Sequence, residues 1–198
     1  MKIKICGLSR NEDIDYVNEI QPDYIGFVFA KSKRQVTYDK AKQLEQQLNS
    51  NIDAVGVFVD EDIDSIKRLV NDKIIDIVQL HGHEDQEYID ELKKYIHCPL
   101  IKAIKVNSEE DIFNINYDVD YYLLDGKTPG SGESFDWRFI QKLDKPFFLA
   151  GGINLNNIDE ALKIDCFAID VSSGVETNGK KDKLKIEEIV RRVRNGSR

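Results

Sequence analysis

The 198-residue sequence predicts a single-domain α/β fold, a compact (β/α)8 TIM barrel spanning residues 1–198. Three observations lead there. Short β-branched or aromatic runs alternate with stretches whose apolar residues recur at helical spacing. The alternation repeats eight times with short links, which implies parallel strands joined by helical crossovers. No low-complexity linker and no shift in composition divides the chain. Eight units imply closure into a barrel, whereas an open doubly wound sheet, the alternative, would use fewer strands.

Taken in order, Ile3 to Cys6 reads as a strand ended by Gly7, and Asn11 to Ile20 as a helix with Ile14, Val17 and Ile20 on one face. Tyr24 to Phe29 is a strand after the Gln21-Pro22-Asp23 turn, and Thr37 is placed to cap a helix over Tyr38 to Leu48. Ala54 to Val59 is the third strand, followed by a helix from Asp62 to Val70. Ile74 to Leu80 is the fourth strand, leading through His81-Gly82 to a helix from Glu87 to Ile96. Pro99 marks the entry to the fifth strand, Leu100 to Ile104, with a weaker helix over Glu109 to Asn114. Tyr121 to Leu124 is the sixth strand, followed by a short helix from Trp137 to Gln141. Phe147 to Ala150 is the seventh, followed by Asn157 to Leu162, and Cys166 to Val171 is the eighth. Asp182 is placed to cap the last helix, through Val193.

The composition is that of a soluble globular protein, with 41% hydrophobic and 32% charged residues. A formal net charge of -8 argues against a broad nucleic-acid binder, but not against a small anionic ligand held by loop backbone. Cys6, Cys98 and Cys166 are an odd set without metal-type spacing, which points to reduced thiols and a cytoplasmic protein with no metal site. The start, MKIKICG, is too short and charged for a signal peptide, and no segment is long and apolar enough for a membrane. The expected partner is a small anionic molecule, with no nucleic acid and no membrane, and the sequence leaves monomer or homodimer open.

In a barrel the residues at the carboxyl ends of the strands form the site. The stretch YYLLDGKTPGSGESFDW runs a strand into Asp125 and then into a glycine-rich loop, Tyr121 through Trp137. Asp125 there is either an acid under a mobile lid or an Asp that caps its own loop. Strand alternation points it inward with Tyr121 and Leu123, and points Cys6 inward with Lys4. Strands one and six lie apart around the ring, so Cys6 and Asp125 face each other across the pocket. A base and an acid so placed suit an isomerisation that moves protons, provided the thiol is more than an inert buried group. A lowered pKa would make Cys6 such a base.

Gly151-Gly152 and Ser172-Ser173-Gly174 end strands seven and eight, where this fold commonly holds a phosphate on backbone N–H groups and hydroxyls. Arg34, in KSKRQV, either holds a substrate carboxylate or belongs to a solvated basic loop. Gln79 and His81 end strand four as pocket lining. Lys4 and Asp170 both point inward on strands that become neighbours on closure, and a buried charge needs a partner. They are expected to pair.

The motifs KICGL, DYIGFVF with SKRQV, VGVFVD, VQLHG, LLDG with GSGESFDW, LAGGI and DVSSGVE follow one another along almost the whole chain. In that order they resemble the phosphoribosylanthranilate isomerase family of tryptophan biosynthesis. The resemblance implies an Amadori rearrangement of N-(5-phosphoribosyl)anthranilate without a cofactor. It implies Asp125 as the general acid, Cys6 as the general base, Arg34 on the anthranilate carboxylate and the two small-residue turns on the phosphate. Two departures stand out: Lys33 where the family usually has Pro, and PGSGES where a GGTGK-like loop is more usual. Neither removes a catalytic group. The rivals are the related isomerase of histidine biosynthesis, expected to use two Asp residues, and a non-catalytic phosphosugar-binding barrel.

Overall fold

The computed structural model of the chain describes residues 1–113, 115–126, 137–140, 143 and 145–196. Eight parallel strands pair in sequence order: β1 (Lys2–Cys6), β2 (Tyr24–Val28), β3 (Asp53–Phe58), β4 (Ile77–Leu80), β5 (Leu100–Lys105), β6 (Tyr121–Asp125), β7 (Phe147–Leu149) and β8 (Ala168–Val171). The barrel closes through β8 against β1, with Lys4 opposite Asp170. The helices between strands are α1 (Asn11–Ile20), α2 (Tyr38–Glu45), α3 (Ile63–Asn71), α4 (Gln86–Leu92), α5 (Glu109–Phe113) and α6 (Ile158–Ala161). After β8 comes a small antiparallel hairpin, β9 (Glu176–Thr177) and β10 (Lys180–Lys181), and then α7 (Lys183–Gly196).

Local chemistry sets the helix starts. The Thr37 hydroxyl accepts from the Lys40 N–H at 3.2 Å, and the Asp62 carboxylate from the Asp64 N–H at 2.8 Å. Asp85 accepts from the Tyr88 N–H at 2.9 Å, and Asp182 from the Leu184 N–H at 3.1 Å. Each amphipathic helix then buries its apolar stripe against the outside of the barrel, as Ile66 and Leu69 of α3 and Ile186, Ile189, Val190 and Val193 of α7 do.

The barrel interior is a second apolar layer, including Val55, Ile77, Ile101, Leu123 and Phe148. Its floor is aromatic. Tyr121 and Phe167 meet in a tilted pair at 4.7 Å between ring centroids, and Tyr24 and Phe148 at 5.7 Å. Tyr24 and Tyr121 begin their strands, so these rings close the amino-terminal mouth and leave the open end at the strand C-termini.

Several boundaries differ from the sequence reading. β4 begins at Ile77 rather than Ile74, because the Ile74 N–H completes the turn after α3 on the Leu69 carbonyl. The neighbouring Asp76 carboxylate accepts from the Ala54 N–H, fixing where the strand enters the sheet. β8 begins at Ala168, two residues after Cys166. The helix expected to reach Ile96 ends at Leu92 and continues as turns. The helix expected over Trp137 to Gln141 is one 3₁₀ turn, Trp137–Phe139. Asn114, Gln141 and the glycine-rich loop expected to form a lid, 127–136, lie outside the described residues. Among the described residues no helix is long and apolar enough to cross a membrane.

Candidate functional site

A cavity of about 270 Å³ opens at the carboxyl ends of the strands. Cys6 and Asp125 line it from strands set apart around the ring. Gln79, His81 and Arg34 line it too, as do the turns at Gly151-Gly152 and Ser172-Ser173. Gly174 is not among the residues that line it. A Cβ there would overlap the Ile153 carbonyl oxygen, and Gly174 bridges to Asn154. Its missing side chain lets the loops after β7 and β8 touch. It braces the two turns against each other.

Cys6 is the last residue of β1, and Gly26 lies opposite it on β2. A Cβ at Gly26 would come within 2.7 Å of the Cys6 sulfur, so this glycine makes the room that the thiol occupies. Burial pushes the Cys6 thiol up, and the ammonium of Lys4 pulls it down without overcoming that effect. The sequence leaves open whether the thiol is lowered, and in this pocket burial holds it above its ordinary value. Cys98 and Cys166 are raised by burial to about 11 and about 12. Cys6 differs from both in lining the cavity, and the Lys4 ammonium lies beside it.

The expected Lys4–Asp170 pair is present. Lys4 is wholly buried, with Nζ 3.3 Å from Asp170 Oδ1. Burial opposes its charge, but Asp170 and Cys6 outweigh burial and hold the ammonium above its ordinary value. Lys4 also donates to the Gln79 side-chain oxygen at 2.6 Å. The Gln79 amide nitrogen lies 2.8 Å from His81 Nδ1, and His81 Nε2 lies 3.4 Å from Asp125 Oδ2. The other Asp125 oxygen, Oδ1, accepts from the Gly126 N–H at 2.8 Å. The two readings of Asp125 thus coexist: one oxygen caps the loop, and the carboxyl also reaches the cavity.

Lys31 and Lys33 of the basic loop are exposed, but the Arg34 side chain turns away from solvent. Its Nε and one terminal nitrogen donate to the two Glu176 oxygens at 2.6 and 3.0 Å. That side-on grip leaves the far edge of the guanidinium for a second anion. Buried Lys181 donates to Glu176 at 2.9 Å and to the Ser172 carbonyl at 2.9 Å. Glu176 and Lys181, both on the β9–β10 hairpin, were not singled out from the sequence as site residues. The only available signal was Glu176 ending the DVSSGVE motif.

Burial opposes the Glu176 charge, but hydrogen bonds from Arg34 and Lys181 hold its pKa at about 2. Glu176→Gln is expected to lose roughly 3 kcal/mol at neutral pH, since it strands two cations. The folded pKa is depressed, so the wild-type advantage is complete above the ordinary value of 4.5 and fades as pH falls toward 2. Urea unfolding of both proteins along that range measures it, and a gap independent of pH would refute the assignment.

The turns after β7 and β8 are built from glycine conformation and capped carbonyls. Gly151 and Gly152 have φ of +86° and +67°, a region that disfavours other residues. The Gly152 carbonyl accepts from the Asn154 and Asn157 side chains at 2.8 and 3.1 Å. Because the peptide is planar and trans, the Ile153 N–H then points the opposite way. Ser172 donates its hydroxyl to the Cys6 carbonyl at 3.0 Å, tying β8 to β1. Its hydroxyl proton is thereby committed to the barrel seam.

An eight-stranded closed barrel, with its cavity at the carboxyl ends of the strands, places this chain among the (β/α)8-barrel enzymes. The comparisons narrow the class. Residues 3–192 match the family model described as N-(5'phosphoribosyl)anthranilate (PRA) isomerase. The N-(5'-phosphoribosyl)anthranilate isomerase of Endomicrobium trichonymphae is 47% identical over 199 residues, with 98% of each chain covered. The phosphoribosyl anthranilate isomerase structure from Thermotoga maritima superimposes with a TM-score of 0.87 at 34% identity, covering 98% of this chain and 99% of that one. A structure of phosphoribosyl anthranilate isomerase in complex with reduced 1-(o-carboxyphenylamino)-1-deoxyribulose 5-phosphate matches with a TM-score of 0.83 at 31% identity, with the same coverage. The chain belongs to the phosphoribosylanthranilate isomerase family.

Proposed function

We propose that this protein isomerises N-(5'-phosphoribosyl)anthranilate to 1-(o-carboxyphenylamino)-1-deoxyribulose 5-phosphate in tryptophan biosynthesis, without a cofactor. The observation that carries the reading is the placement of Cys6 and Asp125 on opposite sides of one cavity, in a chain of this family. Asp125 gives a proton to the ribose ring oxygen while the anthranilate nitrogen lone pair forms the C1′=N bond, and the ring opens. Cys6, as thiolate, takes the proton from C2′. The C2′–H electrons become the C1′=C2′ bond, and the C1′=N π electrons return to nitrogen as its lone pair. The enolamine then tautomerises to the aminoketone. One proton leaves Asp125 and one arrives on Cys6, so the substrate is isomerised with no net change, and exchange with water resets the pair.

The same reading assigns the rest of the substrate. The turns at Gly151-Gly152 and Ser172-Ser173 take the phosphate, and the far edge of Arg34 takes the anthranilate carboxylate. Such an enzyme acts in the cytoplasm, as a monomer or homodimer. The substrate is labile, so the test generates it in place from anthranilate and phosphoribosyl pyrophosphate with the upstream transferase. Loss of anthranilate-type fluorescence reports turnover. Saturable turnover in the wild type, abolished in Cys6→Ala, is expected. A folded, monodisperse wild type without turnover would overturn the reading.

A further inference from the structure

We infer that Lys4 and Gln79 fix the tautomer of His81, so that His81 offers an N–H, and not a lone pair, to Asp125. Lys4 is fully buried and its ammonium carries donors alone. The Gln79 atom 2.6 Å from it is therefore the amide oxygen. The Gln79 amide nitrogen then faces His81 Nδ1 at 2.8 Å. Two donors do not bond, so Nδ1 is the acceptor and carries no proton. In the neutral ring the proton is on Nε2, the atom that faces Asp125. Gln79 is 1% exposed and both its polar atoms are engaged, so its part here is to position His81.

The consequence for Asp125 rests on the function proposed above. When Asp125 gives up its proton, the new carboxylate meets the Gly126 N–H on Oδ1 and the His81 N–H near Oδ2. Hydrogen bonds to a charged acceptor are the stronger ones, so they favour the charge that forms in the step. The opposite tautomer would set a lone pair against Asp125. That lone pair would draw the acid's proton toward the imidazole and away from the ring oxygen. The Gln-x-His spacing matters because residues two apart on β4 and its extension share the interior face. Asp170, beneath Lys4, keeps the ammonium charged and so keeps it a donor.

The test is ¹⁵N NMR of the unliganded, full-length protein labelled at histidine, at neutral pH. The chain has three histidines, and the His81 signals are identified by their loss in His81→Asn. The expected result is a protonated Nε2 and an unprotonated Nδ1. Gln79→Glu keeps an acceptor for Lys4 but turns an acceptor toward His81, so Nδ1 should gain a proton. Its kcat should fall by about a hundredfold with KM little changed, within the range set by general acid catalysis. A wild-type protein with Nδ1–H, or Gln79→Glu with wild-type kcat, would overturn the inference. The expected tautomer in a protein without isomerase turnover would instead sustain the tautomer and defeat the functional reading.

Discussion

Replacing Cys6 by serine is expected to lower kcat by roughly two to four orders of magnitude, the share a positioned acid or base supplies. Serine is close to cysteine in shape and fits the space that Gly26 leaves, so the fold and KM should change little. What it lacks is an ionisable proton in an accessible range. The pH dependence sharpens the test. A base acts only when deprotonated, and burial raises the Cys6 thiol above its ordinary value despite Lys4. Fewer thiolates then exist at any given pH, and the limb of kcat/KM that reports the base lies on the alkaline side. In the wild type kcat/KM should climb from neutral into mildly alkaline pH, and in Cys6→Ser that limb should be absent. A flat wild-type profile over this range would exclude the buried thiol as the titrating base of the free enzyme.

The parts of the site that alternation governs are legible in the sequence. The inward direction of Lys4, Cys6 and Asp125 follows from strand period alone. The Lys4–Asp170 pair follows from adding that the last strand closes on the first, and the two residues fall in register. Contacts made by irregular chain are another matter. Arg34 and Glu176 stand 142 positions apart, one in a loop and one on a two-residue strand. Neither has a periodicity that could reveal the other. Gly174 shows what composition leaves out in such segments. Small residues in a turn suggest an anion cradle, yet this glycine admits a neighbouring backbone. The Gln79–His81–Asp125 line is an intermediate case. Alternation places Gln79 and His81 on one face, but which atom of each meets which partner depends on how the closed barrel staggers its strands.

That division also explains why the site combines rigid and adjustable parts. Cys6 and Asp125 terminate strands whose lower ends are locked by the aromatic floor and the buried ion pair. Arg34 and the anion-facing turns depend on loop contacts that a short hairpin holds through Glu176 and Lys181. Substitutions on the hairpin should therefore move KM more than kcat, and substitutions at the strand ends the reverse.

Asp125→Asn is the second change expected to remove most activity, and it separates the two proton transfers. Asparagine preserves size but has one acceptor where aspartate has two. The Gly126 N–H and the His81 N–H both face that acceptor pair, so one of them is left against the amide group. The stability loss should be about 1 kcal/mol, the ordinary cost of one unmade hydrogen bond. The kcat loss should be far larger, roughly a hundred- to ten-thousandfold, because an amide has no proton to give the ring oxygen. Ring opening then becomes the slow step and proton removal from C2′ follows it quickly. Substrate deuterated at C2′ should accordingly turn over in Asp125→Asn as fast as the protonated form. In Cys6→Ser the slow step is the C2′ proton transfer itself, so deuterium should slow turnover by the full primary effect. An isotope effect confined to the Asp125 variant would exchange the two roles, making the carboxylate the base at C2′ and Cys6 the acid at the ring oxygen.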